Sequence, residues 1–386
     1  MDVRRCHVPR DSRDLSARFL QRRRCELARG LPAHAGDTGG LVPARLLRQE
    51  DRMNAINARR MSVLAGIVLA VAIPAFLADY YRSLAALSAI AAILILSLNV
   101  LTGLVGQISF CQYTFAGLGA MTVGALSGAQ GHHWSFWISM PLGVLFAALG
   151  GFLVGIPALR LSGLFLAILT LGVALGADRY LFANGTWNSF TGGVNPRTPS
   201  RPTLFGYHLT SQYSFYLFAL AAFLLVAFLV WNLRVGKTGR VLRAIRESEV
   251  AASTMGLNLI KWKLAAFTVS AGIAGLAGGL LAVQIGSVSP ASYDFLHSIT
   301  VAAVVVVAGV GSLASAAVGG IFIWWLPELL RHLGVNPQFF QLVLGLLLVV
   351  QLVVAPQGGV VKLEHDLKRL FGLGRRSQDL ELAEVL

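Results

Sequence analysis

From about residue 62 onward, long apolar blocks alternate with short polar breaks. Each block is about the 20 residues that an α-helix needs to cross a bilayer. The pattern predicts spans over 62–80, 83–101, 108–128, 134–157, 161–183, 213–233, 264–285, 296–309, 313–330 and 338–355. The expected fold class is therefore all-α, a polytopic transmembrane helical bundle of about ten spans, with eight to ten compatible with the pattern. The division of 296–330 is the least defined, because Gly309, Gly311 and Ser312 mark either a turn between two spans or a break within one.

The longest charged stretch between these blocks is 234–263, RVGKTGRVLRAIRESEVAASTMGLNLIKWK. It must lie outside the lipid. Val241, Leu242, Ile245, Ala252 and Met255 recur near helical spacing while the arginines and glutamates fall mostly on other faces, which predicts one short amphipathic helix. Gly256 and Asn258 supply its stop signal. A membrane protein that exposes such a helix offers it to a partner's groove or to the lipid surface.

Composition narrows the class. The chain has 386 residues, 55% hydrophobic and 13% charged, against about a quarter charged in soluble domains. Net charge is +14, but residues 1–60 hold 14 of the bases and 7 of the acids, which leaves +7 for the remainder. With 234–263 on the cytoplasmic side, ten spans place Arg59, Arg60, Arg160 and the tail bases Lys362, Lys368, Arg369, Arg375 and Arg376 on that same side. The excess is then a positive-inside bias rather than a nucleic-acid footprint, and both termini are cytoplasmic. Residues 1–60 read as a disordered basic tail or a start codon assigned too early, with Met53 or Met61 as the alternative. The transmembrane domain is then 61–360, and 361–386 is a cytoplasmic tail. Cys6, Cys25 and Cys111 match no metal or disulfide spacing.

Three stretches carry a resemblance. GRVLRAIRESEVAASTMGLN resembles the cytoplasmic coupling loop in permease subunits of branched-chain amino acid ABC importers. The match falls on Gly239, Arg240, Arg243, Ala244, Arg246, Glu249, Ala251, Ala252 and Gly256, and implies docking on an ATP-binding subunit. SLNVLTGLVGQISFCQYTFAGLGAMTVGAL, residues 97–126, is similar to the family's Leu-Thr-Gly-x-x-Gly-Gln-x-Ser signature. Its polar groups at membrane depth need a partner or a water-filled path. Asn99, Gln107, Ser109, Gln112 and Thr114, with Thr170, are the candidates for the translocation path, and interhelical hydrogen bonding is the alternative for each. The third stretch, 159–182 followed by TGG at 191–193, departs from the family pattern at Leu175 and Pro196, with Asp178 one helical turn beyond Leu175. APQGG at 355–359 resembles the family's closing Pro-Gln-Gly.

The resemblance implies an inner-membrane permease subunit that does no chemistry and needs no cofactor. Its implied partners are ABC ATP-binding subunits, a second permease subunit, an external solute-binding protein and membrane lipid. Two other classes compete. An ion-coupled secondary transporter usually carries ionisable groups deep in its spans, where Asp178 alone comes near; a membrane enzyme needs a catalytic cluster, which the sequence does not offer. VGKT at 235–238 lacks the leading glycine and the strand of a phosphate-binding loop. Paired His132 and His133 lack carboxylate or Cys company, and Glu328 reads as an interfacial charge near Arg331. GxxxG spacing at Gly124/Gly128, Gly151/Gly155, Gly172/Gly176 and Gly275/Gly279 predicts close helix packing.

Overall fold

The computed structural model describes residues 66–354 apart from 129–131, 162, 183–195, 205–206, 209–210, 335 and 337–338. The two tails, the choice between Met53 and Met61, and the TGG and APQGG stretches lie outside the described residues. The chain divides into a unit Met1–Ile67 and a unit Val68–Leu386, and the second contains the helical bundle.

The helices are α1 Gly66–Ala75, α2 Asp79–Asn99, α3 Gln112–Ser127, α4 Phe136–Ala158, α5 Leu164–Gly176, α6 Gln212–Val235, α7 Lys237–Glu247, α8 Glu249–Thr254, α9 Leu259–Ile285, α10 Phe295–Ala308, α11 Leu313–His332 and α12 Phe340–Val354. Helix α2 runs on as a π-helix, Val100–Val105, and α5 as another, Ala177–Phe182. A minimal hairpin, β1 Thr203–Leu204 with β2 Tyr207–His208, sits between α5 and α6. Seven helical stretches among the described residues are long and apolar enough to cross a membrane. The remaining three expected spans correspond to the shorter helices α1, α3 and α12. The stretch 296–330 is two helices: Gly309 and Gly311 take φ of 108° and 90°, and Ser312 Oγ accepts the Ser315 amide at 3.2 Å to start α11.

Two stretches form the centre. In Asp79–Val105 and Leu259–Ile285, 83% and 78% of the apolar window is buried, against 17–44% for the other five. A helix apolar all round has no face reserved for water, so protein can surround it. Helix α9 packs on α4, α3 and α2, and α2 on α11 and α6. The α3–α4–α9 block closes almost backbone to backbone. A Cβ on Gly278 would lie 1.8 Å from the Ala116 carbonyl oxygen, one on Gly119 2.2 Å from that of Gly275, and one on Gly151 2.2 Å from the Ala271 Cβ. Small residues permit this approach, which supplies the dispersion contact that holds helices together in lipid. Two of the four GxxxG pairs, Gly151/Gly155 and Gly275/Gly279, thus make the interface of α4 with α9. Gly172 and Gly176 have no atom within 4 Å of a would-be Cβ. The opposite end of α2 is pinned by charge: Tyr80 Oη donates to Glu328 Oε2 at 2.7 Å, and Arg331 Nη2 pairs with Glu328 Oε1 at 2.5 Å.

Candidate coupling surface and translocation path

The charged segment begins with a tight corner. At Gly236, where φ is −67° and ψ −179°, the chain leaves α6 and folds into α7. A side chain at Gly239 would bring its Cβ to 2.3 Å from the Arg234 carbonyl oxygen, so only glycine lets α7 cross the end of α6 so closely. Arg243 closes the corner by donating from Nε to the Gly239 carbonyl at 3.1 Å and from Nη2 to the Arg234 carbonyl at 3.2 Å. Arg234 lies in the last turn of α6, where carbonyls have no intrahelical partner and a cation satisfies both the hydrogen bond and the dipole. Leu242 and Ile245 are buried beneath α7.

The single amphipathic helix expected here is two helices. Ser248 adopts extended backbone, φ −158°, and its Oγ accepts the Ala251 amide at 3.2 Å as the N-cap of α8. The break resets the helical phase, so Met255 does not continue the buried stripe of Leu242 and Ile245: it is 76% exposed, and Val250 75%. Gly256 ends α8 with φ of 77°. Asn258 is no stop signal but the start of α9, its Oδ1 accepting the Lys261 amide at 3.1 Å. Of the nine loop residues singled out from sequence, Arg240, Arg243, Arg246, Glu249, Ala251 and Gly256 are exposed and Ala244 is half-buried. Gly239 and Ala252 are buried. The side chains of Arg243, Arg246 and Glu249 turn back onto the protein, Glu249 pairing with the buried Lys263 on α9 at 2.7 Å.

The six residues singled out as path candidates are all buried. Gln112 Nε2 donates to Ser97 Oγ at 3.0 Å and to Ser270 Oγ, while Ser270 Oγ donates to the Ser97 carbonyl at 2.6 Å, so α2, α3 and α9 share one polar knot. Ser270 lies six residues past Leu264, where the apolar run of α9 begins, about 9 Å at about 1.5 Å per residue. That depth is about a third of the way into a hydrocarbon layer about 30 Å thick. Asn99 brackets the break before α11, its Oδ1 accepting the Gly311 amide at 3.1 Å and its Nδ2 donating to the Ser312 carbonyl at 3.3 Å. Thr170 Oγ1 accepts the Phe110 amide at 3.0 Å, Ser109 Oγ meets Cys111 Sγ at 3.2 Å, and Thr114 is buried on α3. The Oε1 atoms of Gln107 and Gln112 have no hydrogen-bond partner.

None of the six lines the larger cavity beside them, which measures about 560 Å³. Their neighbours do. Between the π-helix and α3, residues 106–111 are not helical, and burial alternates: Gln107, Ser109 and Cys111 face the protein while Gly106, Ile108 and Phe110 face the cavity. Irregular backbone at membrane depth is tolerated where it is buried in protein or lines a cavity. Thr102, Ile299, Ala302 and Val305 add to the walls, and Arg246 is the one charged lining group. The sequence held the signal, since GQISFC alternates small or apolar with polar side chains; a hydropathy window averages it into the span 108–128. A second cavity, about 290 Å³, lies where the starts of α3 and α10 meet, with the Tyr113 and His297 rings stacked 5.2 Å apart.

Among the described residues no group of three or more His, Cys, Asp or Glu side chains is placed to hold a metal ion. A family model described as the permease component of the branched-chain amino acid transport system matches residues 80–352. The chain belongs to that family. The permease is 35% identical over 344 residues to the high-affinity branched-chain amino acid transport system permease protein LivM of Escherichia coli (strain K12), covering 83% of this chain and 79% of the relative. The LivM protein of Salmonella typhimurium is 34% identical over the same shares of both chains. Autoinducer 2 import system permease protein LsrC of Escherichia coli O9:H4 (strain HS) is 26% identical over 309 residues, 77% of this chain and 86% of the relative. No solved structure matches. The permease is thus a multi-pass membrane protein and a transport subunit of an ABC importer, not an enzyme in its own right.

Proposed function

We propose that the permease carries branched-chain or related amino acids across a bacterial inner membrane, both termini cytoplasmic, driven by separate ATP-binding subunits that dock on α7 and α8. A second permease subunit completes the path, and an external solute-binding protein delivers the solute. The observation that carries the coupling reading is the exposed apolar surface of Val250, Ala251 and Met255 within a charged segment that lipid cannot cover. Family membership, and the branched-chain amino acid systems named for the relatives, support the substrate class. The apolar walls of the larger cavity suit an aliphatic side chain.

The test is Ala251→Glu, which sets an unpaired carboxylate in the docking surface. Burying it there costs about 3–5 kcal/mol. Because Ala251 is exposed in the isolated chain, insertion and folding should be normal. Co-purification with the ATP-binding subunits and uptake of leucine or valine should both be lost. Retention of both would put the docking surface somewhere other than the exposed face of α8.

A further inference from the structure

We propose that Arg246 and Arg234 are positioning residues for transport: each holds a backbone carbonyl at the cytoplasmic end of the larger cavity, and together they tether both cavity walls to α7. The proposal rests on the coupling reading of α7 and goes beyond it, because both arginines, Arg246 exposed and Arg234 half-buried, are hydrogen-bonded to the permease's own backbone rather than offered to a docked subunit.

The long helix formed by α2 and its π-helical extension ends at Val105, where the cavity-lining stretch begins. Arg246 reaches that end from α7, its Nη1 donating to the Gly103 carbonyl at 2.7 Å. Its stem lies over Gly106, where φ is 77° and a Cβ would come within 2.8 Å of the Arg246 Cγ. The other wall, α10, ends at Ala308 and passes through Gly309 to Gly311. Arg234, in the last turn of α6, donates from Nη1 to the Gly311 carbonyl. The two walls meet there, since a Cβ on Gly103 would be 2.9 Å from the Gly311 Cα. Arg243 on α7 completes the linkage by donating to the carbonyl of Arg234 itself.

Two walls of one cavity therefore converge on a single glycine crossing, and both sides are gripped from the corner of α6 and α7. Charge-assisted hydrogen bonds are roughly twice as strong as neutral ones, and the guanidinium fork fixes direction as well as distance. A rigid displacement of α7 must carry Gly103 with it or break the bond. π-Helical turns are frequent at functional sites. The plainer reading, that the arginines merely cap two helix ends, predicts lost stability with unchanged coupling.

The experiment uses the complete importer, with Ile108→Cys in a background lacking Cys6, Cys25 and Cys111. It compares Arg246→Ala, Arg246→Lys and Gly106→Ala, the last of which displaces the Arg246 stem and keeps its charge. Coupling free energies between sites are commonly worth about 5–150-fold, so uptake per ATP hydrolysed should fall about tenfold in Arg246→Ala. Gly106→Ala should follow it and Arg246→Lys should recover part of the loss, while co-purification with the ATP-binding subunits persists. The thiol introduced by Ile108→Cys should react with an aqueous thiol reagent at a rate that depends on nucleotide state in the parent and loses that dependence in Arg246→Ala. Unchanged uptake per ATP, or a nucleotide dependence that survives in Arg246→Ala, overturns the tether. Failure of the parent itself to bind ATP-binding subunits would instead count against the coupling reading. The thiol rate of the permease alone then decides, since loss of the Arg246 side chain must raise it, and an equal rate overturns the tether.

Discussion

Gly278 and Gly172 sit in equally apolar helices, yet the structure separates them completely. A methyl on Gly278 would press 1.8 Å from the Ala116 carbonyl oxygen, whereas one on Gly172 meets nothing within 4 Å. Gly278→Ala should therefore destabilise the detergent-solubilised protein by about 1–3 kcal/mol, the usual cost of overpacking. Gly172→Ala should be neutral or slightly stabilising, because it removes unfolded-chain entropy from a helix interior. Thermal unfolding followed by tryptophan fluorescence compares the two directly. Spacing alone could not make this distinction: GxxxG places two glycines on one face, but which face meets another helix is decided by the tertiary arrangement. The same limit explains the path candidates. Polar residues such as Gln112 and Asn99 were visible as residues needing partners, and the structure supplies Ser97, Ser270 and the Gly311–Ser312 backbone.

At the scale of elements, hydropathy located the ten apolar blocks because block length is set by bilayer thickness. It missed what occurs inside a block. The break at Ser248 is a comparable miss in the charged segment, because a serine N-cap requires extended backbone at one residue and shifts the phase of everything beyond it. Ser248→Ala removes the side-chain acceptor for the Ala251 amide and should cost about 1 kcal/mol locally. We expect faster amide exchange over Ala251–Thr254 and weaker association with the ATP-binding subunits, with the membrane helices unaffected. Glu249→Gln should act on the same element from the other side. It leaves Lys263, whose side chain is only 5% exposed, without its carboxylate. Because Glu249 is about half exposed, the pair is screened and the stability loss should be about 1 kcal/mol or less, read in the same unfolding assay.

For the molecule as a whole, charge adds what hydropathy leaves out: with 234–263 taken as cytoplasmic, ten spans bring the dense basic clusters after residue 50 to one face. Burial divides the bundle into a centre, α2 and α9, and an outer set with exposed apolar faces. Leu280→Ala, at a position 1% exposed, should cost about 2–5 kcal/mol through the cavity it leaves. Leu145→Ala, at a position 65% exposed, should cost less than about 0.5 kcal/mol, as for other surface changes. The non-helical stretch 106–111 carries a further consequence. Its side chains alternate between two faces, so which of them lines the cavity depends on whether a residue is counted odd or even. Deleting a single residue ahead of Gln107 would exchange the faces. A cavity wall made of a hydrogen atom, a butyl group and a phenyl ring would become one made of an amide, a hydroxyl and a thiol, turning from oily to wet with hardly any change in composition.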